Sequence, residues 1–246
     1  MSMSKAKAEN RPLPKRFYTE VAVAPVNGGW GVYLDGRALK TPAKNPLSAP
    51  VENLARAMAD EWAAQKAVVD PFTMPLTRLA HVAIDRMGET REAAATEVAK
   101  YATTDLLCHR AEDGALAARQ AELWDGWLDW AETALDAPLK RAGTILALEQ
   151  PQSSLDALER RAAALDDWRL TGLVSAVSIL GSAVLGFALL EGEGTGEDLL
   201  AASRLEEDHQ IARWGEDADA AQAAANRRRD LLAIEAMFRM LDAAER

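Results

Sequence analysis

Cysteine is almost missing from this chain: Cys108 is the single one in 246 residues, so no intrachain disulfide and no thiolate metal cage can form. That usage fits a reducing compartment. Histidine is nearly as scarce, with only His81, His109 and His209. Positive charge is in deficit, since 28 Lys and Arg against 38 Asp and Glu give a net charge of −10. A protein that neutralises phosphates needs a basic face, so nucleic acid is excluded as a partner. The basic N-terminus (Lys5, Lys7, Arg11, Lys15, Arg16) has no apolar stretch and does not read as a secretory signal; residues 1–15 read as a flexible tail. Long uncharged runs are also few. Leu170 to Leu190 is about the length that spans a bilayer. It carries Thr171, Ser175, Ser178, Ser182 and three glycines, and neither flank has the Lys/Arg cluster that would orient a span. The run reads as one buried central helix of a helical domain, with no stable membrane insertion.

What is present sorts into two parts. Phe17, Thr19, Val21 and Val23 alternate with Tyr18, Glu20, Ala22 and Ala24, and Asn27-Gly28-Gly29 follows as a turn. Asp35-Gly36 supplies the positive φ angles of a type I′ turn, which predicts a hairpin between residues 31–34 and 37–40. The period then changes: Val51, Leu54, Ala55, Met58 and Trp62 share a helical face, with Ser48 as a candidate cap. The stiff connector Asp70-Pro71-Phe72-Thr73-Met74-Pro75 marks a boundary. Beyond it helices are predicted over 76–87, 90–110, 116–135, 155–165, 170–190 and 199–214, with a final long one marked by Leu231, Ile234, Phe238 and Leu241. The expected fold is α+β: a small β-rich N-terminal domain (16–75), an antiparallel meander plus a helix, followed by a larger all-helical orthogonal-bundle domain (76–246).

Candidate chemistry is thin. Glu206 and His209 stand at i and i+3, the spacing used by carboxylate-bridged di-iron bundles, but that site needs the pair twice and no second copy exists. No Gly-x-Ser-x-Gly elbow occurs, and Cys108 and His109 are adjacent, which on a helix turns them roughly 100° apart. Residues 192–196 resemble a phosphate loop but lack the Lys-Ser/Thr end and carry acids that repel an anion, so they read as a helix connector. Asp105, amid Tyr101, Leu106, Leu107 and Cys108, is either a buried carboxylate with a raised pKa or a cap. Arg227-Arg228-Arg229 reads as a solvated face. No catalytic residue, metal or cofactor is expected.

Acid is concentrated in residues 191–219, where ten carboxylates and two arginines sum to −8, most of the net charge. Within it Glu206 is predicted to share a face with Leu199, Ala202, Ser203 and Gln210, and Glu207 with Leu200, Ile211 and Trp214. Carboxylates beside small and apolar residues suit protein recognition, giving area to bury and a charge that rejects wrong partners. Solvated helix acids with no partner are the competing reading, and the residues alone leave both open.

Several motifs together resemble one family: Arg16-Phe17-Tyr18, Leu34-Asp35-Gly36-Arg37, Leu39-Lys40-Thr41-Pro42-Ala43, Glu61-Trp62-Ala63-Ala64-Gln65, Met74-Pro75-Leu76-Thr77, Thr104-Asp105-Leu106-Leu107-Cys108, Gln150-Pro151, Leu205-Glu206-Glu207 with Gln210, and Trp214-Gly215-Glu216-Asp217. The chain is similar to the assembly chaperones of the F-type ATP synthase that bind the unassembled α subunit, in mitochondria and alphaproteobacteria. His109 and His209 depart from the aromatic residues expected there. The resemblance implies a non-enzymatic holdase that keeps α from aggregating until it pairs with β. It also implies a bacterial cytoplasmic location (the matrix in eukaryotic relatives), a monomer when free, and α binding through Glu206, Glu207, Gln210, Trp214, Glu216 and Asp217. An acidic helical module for another partner and an uncharacterised hydrolase are the alternatives.

Overall fold

The computed structural model describes residues 12–142, 148–215 and 217–244. The predicted hairpins are present. β1 (Val21–Val26) pairs antiparallel with β2 (Gly29–Leu34), from Val21 opposite Leu34 to Val26 opposite Gly29. β2 pairs in turn with β3 (Arg37–Ala38) through a turn in which Asp35 and Gly36 have φ of 47° and 76°. These are the paired left-handed conformations of a type I′ turn. The Asp35 carboxylate also accepts the N–H groups of Thr19 and Glu20, at 3.0 and 2.8 Å, which ties the entering chain to the turn. Ser48 does not cap a helix. It lies in β4 (Ser48–Ala49), which pairs with β2, and α1 (Glu52–Ala63) begins after Val51 without a side-chain cap. α1 packs its Leu54, Ala55, Met58, Ala59 and Trp62 face on the sheet.

The connector is tighter than the extended strap expected. Asp70 caps a 3-10 turn, Pro71–Thr73, and Pro75 opens α2 (Pro75–Val82), where a missing N–H is harmless. The Glu61 carboxylate reaches from α1 to accept from Leu76 and Thr77 N–H at 2.7 and 2.8 Å, filling the donors that the start of α2 leaves open. Burial holds Glu61 above the usual carboxylate range, against those donors. A π-turn, Ala83–Met87, joins α2 to α3 (Gly88–Thr103), so the chain is helical from 75 to 103. The helix predicted to run to residue 110 stops seven residues early, where Thr104 turns the chain and Asp105 starts a 3-10 turn at Leu106–Cys108.

α4 (Gly114–Ala134) and α5 (Gln152–Ala163) follow. The apolar run is not one helix. α6 (Asp167–Leu180) ends at Gly181, which takes the left-handed φ of 65°, and Ser182 caps α7 (Ala183–Glu191). A glycine terminator followed by a serine cap splits the run into a buried hairpin. None of the described helices is long and apolar enough to cross a membrane. α6 packs against α2, α3, α5 and α7 and meets the last helix, α10 (Ala218–Ala243), where the absence of a side chain at Gly172 lets Phe238 and Met237 approach. α8 (Gly196–Ser203) and α9 (Leu205–Trp214) replace the single helix expected over 199–214, the break falling at Arg204. Buried side chains form one continuous cluster from Tyr18 and Val32 in the sheet to Phe238 and Leu241 in α10. The architecture is the expected one, a small antiparallel sheet with a helix followed by a helical assembly. We propose that the 70–75 connector is where the β-rich part hands over to the helical part.

Candidate functional site

The acidic segment singled out in the sequence is α9 with its two flanking turns. Only Leu205 of α9 is buried, whereas every residue from Ala183 to Leu190 in α7 is. Three carboxylates, Glu206, Glu207 and Asp208, occupy its first turn, where the unfilled N–H groups favour negative charge, and Arg213 stands in its last. α9 lies against α4, and Glu207 links it to α10.

Adjacent carboxylates on a helix point in different directions, and here they do different work. Glu207 is held inside the chain: Arg204 lies 3.1 Å from it and Arg227 of α10 reaches both its oxygens at 3.2 and 3.3 Å. Asp208 also meets Arg204, at 3.2 Å. Glu206 is exposed and turns the other way, accepting from the Nε2 of Gln120 on α4. Gln210 and Trp214 follow it at steps of four residues, both exposed, Trp214 at 76%. Asp217 is spent on capping α10, accepting from Ala220 N–H at 3.3 Å. Glu216 lies outside the described residues. The break at Arg204 means that Leu199 and Leu200 do not continue the faces of Glu206 and Glu207; both leucines are buried in α8 instead.

Arg227-Arg228-Arg229 is not a merely solvated face. Arg227 pairs with Glu207, Arg228 with Glu197, and Arg229 with Asp230 at 2.9 Å. Part of the acidic excess of 191–219 is therefore answered from α10.

Between the 3-10 turn, α4 and α9 lies an open concavity of about 490 Å³, lined by His109, Arg110, Ala111, Glu112, Leu116, Glu206 and Gln210. Arg110 is committed: it pairs with Asp125, donates to the carbonyls of Leu107 and His109, and stacks 5.4 Å from the Trp124 ring. His109 thus meets Glu206 and Gln210 at one site. His209 turns Nε2 inward with no hydrogen-bond partner among the described residues. Asp113, which caps α4, stays below the usual carboxylate range because it accepts the N–H groups of Leu116 and Ala115, with Arg213 and His209 of α9 adding to the effect.

Asp105 unites the two readings offered for it. It is fully buried, its Oδ1 accepts from Leu107 N–H at 3.1 Å, and its Oδ2 accepts from Ser182 Oγ at 3.0 Å and Val184 N–H at 3.3 Å. It caps both the 3-10 turn and the start of α7. Burial pushes its pKa up to about 6 despite the donors from Ser182, Leu107 and Val184. Cys108 nearby is buried core, its thiol pushed up to about 12 by burial and by Asp105. Among the described residues no group of three or more His, Cys, Asp or Glu could hold a metal. Gly192 closes α7 with φ of 73° and Thr195 caps α8, so the glycine-rich loop is a helix connector.

Gln120 was not anticipated. The available signal was a polar residue at apolar spacing in the buried stripe Gln120, Trp124, Leu128 and Ala131. Leu123, directly before Trp124 in sequence, is 42% exposed.

Residues 15–132 match the ATP12 chaperone protein family. The mitochondrial protein atp12 of Schizosaccharomyces pombe is 30% identical over 227 residues, covering 85% of this chain and 78% of that protein. The chain belongs to the ATP12 chaperone family. The crystal structure of Atp12 from Paracoccus denitrificans superposes with a TM-score of 0.85 at 39% identity, covering 92% of this chain and 98% of that one. The Atu1473 protein of Agrobacterium tumefaciens gives 0.87 at 40% identity, covering 94% and 87%. ATP12 proteins are chaperones of ATP synthase assembly, which assigns the chain to that process. The ATP12 fold accordingly has its small sheet first and its helices after.

Proposed function

We propose that this ATP12-family chaperone binds the unassembled α subunit of the F-type ATP synthase and releases it when β arrives. A free α subunit exposes the surface that β later covers, and a large exposed apolar patch drives aggregation. A chaperone that masks the patch with a modest interface yields to a partner that buries a larger obligate one. It acts as a holdase without turnover, in the bacterial cytoplasm, and is monomeric when free. The observation that supports placing α on α9 is that this helix buries only Leu205 and leaves Trp214 in solvent. Tryptophan is among the residues that protein interfaces use most as anchors. Glu206, Gln210 and Trp214 are the residues we place against α. Glu207 and Asp217 shape the site by holding α9 to α10 and starting α10, and Glu216 belongs to the same stretch.

The test is co-expression of α with chaperone variants. Trp214→Ala and Glu206→Lys should leave a folded chaperone and send α to the pellet, whereas wild type should keep α soluble only near a one-to-one ratio. Soluble, chaperone-bound α with both variants would remove α9 from the interface. Protection of α at small catalytic ratios would overturn the holdase reading.

A further inference from the structure

Glu206 is the one acid of α9's first turn that no arginine answers among the described residues, and its position is set by a side chain that never reaches the surface. Gln120 is fully buried, and its Oε1 accepts the N–H of Ala111 at 2.7 Å. That backbone donor fixes which end of the amide is oxygen, so the Nε2 end faces Glu206 and donates to its Oε1. One turn further along α4, Trp124 donates Nε1–H to the carbonyl of Ala202 at 2.9 Å. Residues 120 and 124 on one helix therefore meet 206 and 202 on the other segment, both at steps of four, and the two bonds lock α4 to the α8–α9 corner. One Glu206 oxygen is held by this clamp. The other has no described partner, and Glu206 itself borders the concavity lined by Ala111, Glu112 and Leu116.

Building on the reading that α9 faces α, we propose that Gln120 is a positioning residue: it presents Glu206 to one basic side chain, Lys or Arg, carried on a partly apolar segment of the α subunit. Charge complementarity selects that occupant. Glu112 and Glu206 have no ion-pair partner among the described residues, while Arg110, the cation of the concavity, is already paired with Asp125. Ala111 and Leu116 offer apolar surface to the stem of a long basic side chain. A carboxylate fixed in one rotamer loses less freedom on pairing than a free one, and that difference is what Gln120 contributes to affinity.

The test is a double-mutant cycle on the full chain, titrated with α freshly diluted from denaturant. Gln120→Met removes both hydrogen bonds. Gln120→Leu removes the same two bonds with a branched apolar side chain, so it serves where the Met variant folds poorly. Either change should weaken α binding about tenfold when Glu206 is present and less than about twofold in a Glu206→Ala background. Equal losses in both backgrounds, or no loss at all, would assign Gln120 a structural role alone and overturn the proposal. If Glu206→Ala by itself binds α as tightly as wild type, the placement of α9 against α fails first.

Discussion

Raising the pH from 4.5 to 7.5 ionises Asp105 inside the folded protein, and that step measures a contest between burial and hydrogen bonding. The side chain is fully buried, which disfavours charge, yet it accepts from Leu107, Ser182 and Val184, which favours charge. Burial wins, placing the pKa at about 6 against 3.8 for an ordinary aspartate. Between those two values the folded state keeps a proton that the unfolded state has lost, so stability falls as pH rises through the window and levels off above it. Two units at about 1.4 kcal/mol each give ~3 kcal/mol in all, of which about 2 kcal/mol falls between pH 4.5 and 7.5. Asp105→Asn is neutral throughout and turns an amide NH2 toward a backbone donor, leaving one N–H unfilled at about 1–3 kcal/mol. The variant's absolute stability is therefore close to wild type, and its pH dependence is the informative quantity. Urea unfolding of both proteins at several pH values isolates it, because every other titrating group cancels in the difference. Asn should gain about 2 kcal/mol on Asp between pH 4.5 and 7.5. A constant difference, or one that grows toward acid, would show that the donors outweigh burial and refute the reasoning.

Gly172→Ala places a methyl 2.5 Å from the Phe238 ring and 2.7 Å from the Met237 methyl, both side chains fully packed. Overpacking of about 1–3 kcal/mol exceeds the ~1 kcal/mol gained from helix propensity, so thermal melts should drop by a few degrees; an unchanged or raised melting temperature would contradict the close packing. Gly36→Val forces a β-branched residue into φ of 76° and should cost about 1–2 kcal/mol in denaturant unfolding, against almost nothing for Val at an exposed strand position. Cys108 should resist a thiol-specific disulfide reagent in the native protein and react at once in denaturant, since the thiolate needs a pKa far below its value of about 12. Rapid native labelling would mean that the core opens around it.

Local chemistry was legible wherever one or two residues fix a backbone geometry. Asp35-Gly36 announces its turn because few other pairs tolerate two left-handed conformations, and the structure holds it there. The helical periodicities after residue 75 also survive, because an apolar stripe must be buried whatever it meets. Helix ends fared worse. The run from 170 to 190 contains both the signal to stop, Gly181, and the signal to restart, Ser182, but uniform hydrophobicity hid them. Ser48 looked like a cap because serine serves equally in caps and edge strands, and pairing with β2 decided between them. The acidic segment was found by its composition, while the division of labour within it was not.

By itself the sequence determined the order of sheet and helices, the scarcity of thiols and imidazoles, and a family resemblance carried by motifs spread from residue 16 to 217. Only the tertiary structure decided that Glu207 belongs to Arg204 and Arg227 while Glu206 faces outward on a buried amide. Neighbouring carboxylates on a helix are chemically identical, and what separates them is which distant helix lies alongside. Gln120 lies 86 positions before Glu206 and Arg227 lies 20 after Glu207, so no local pattern could have assigned them.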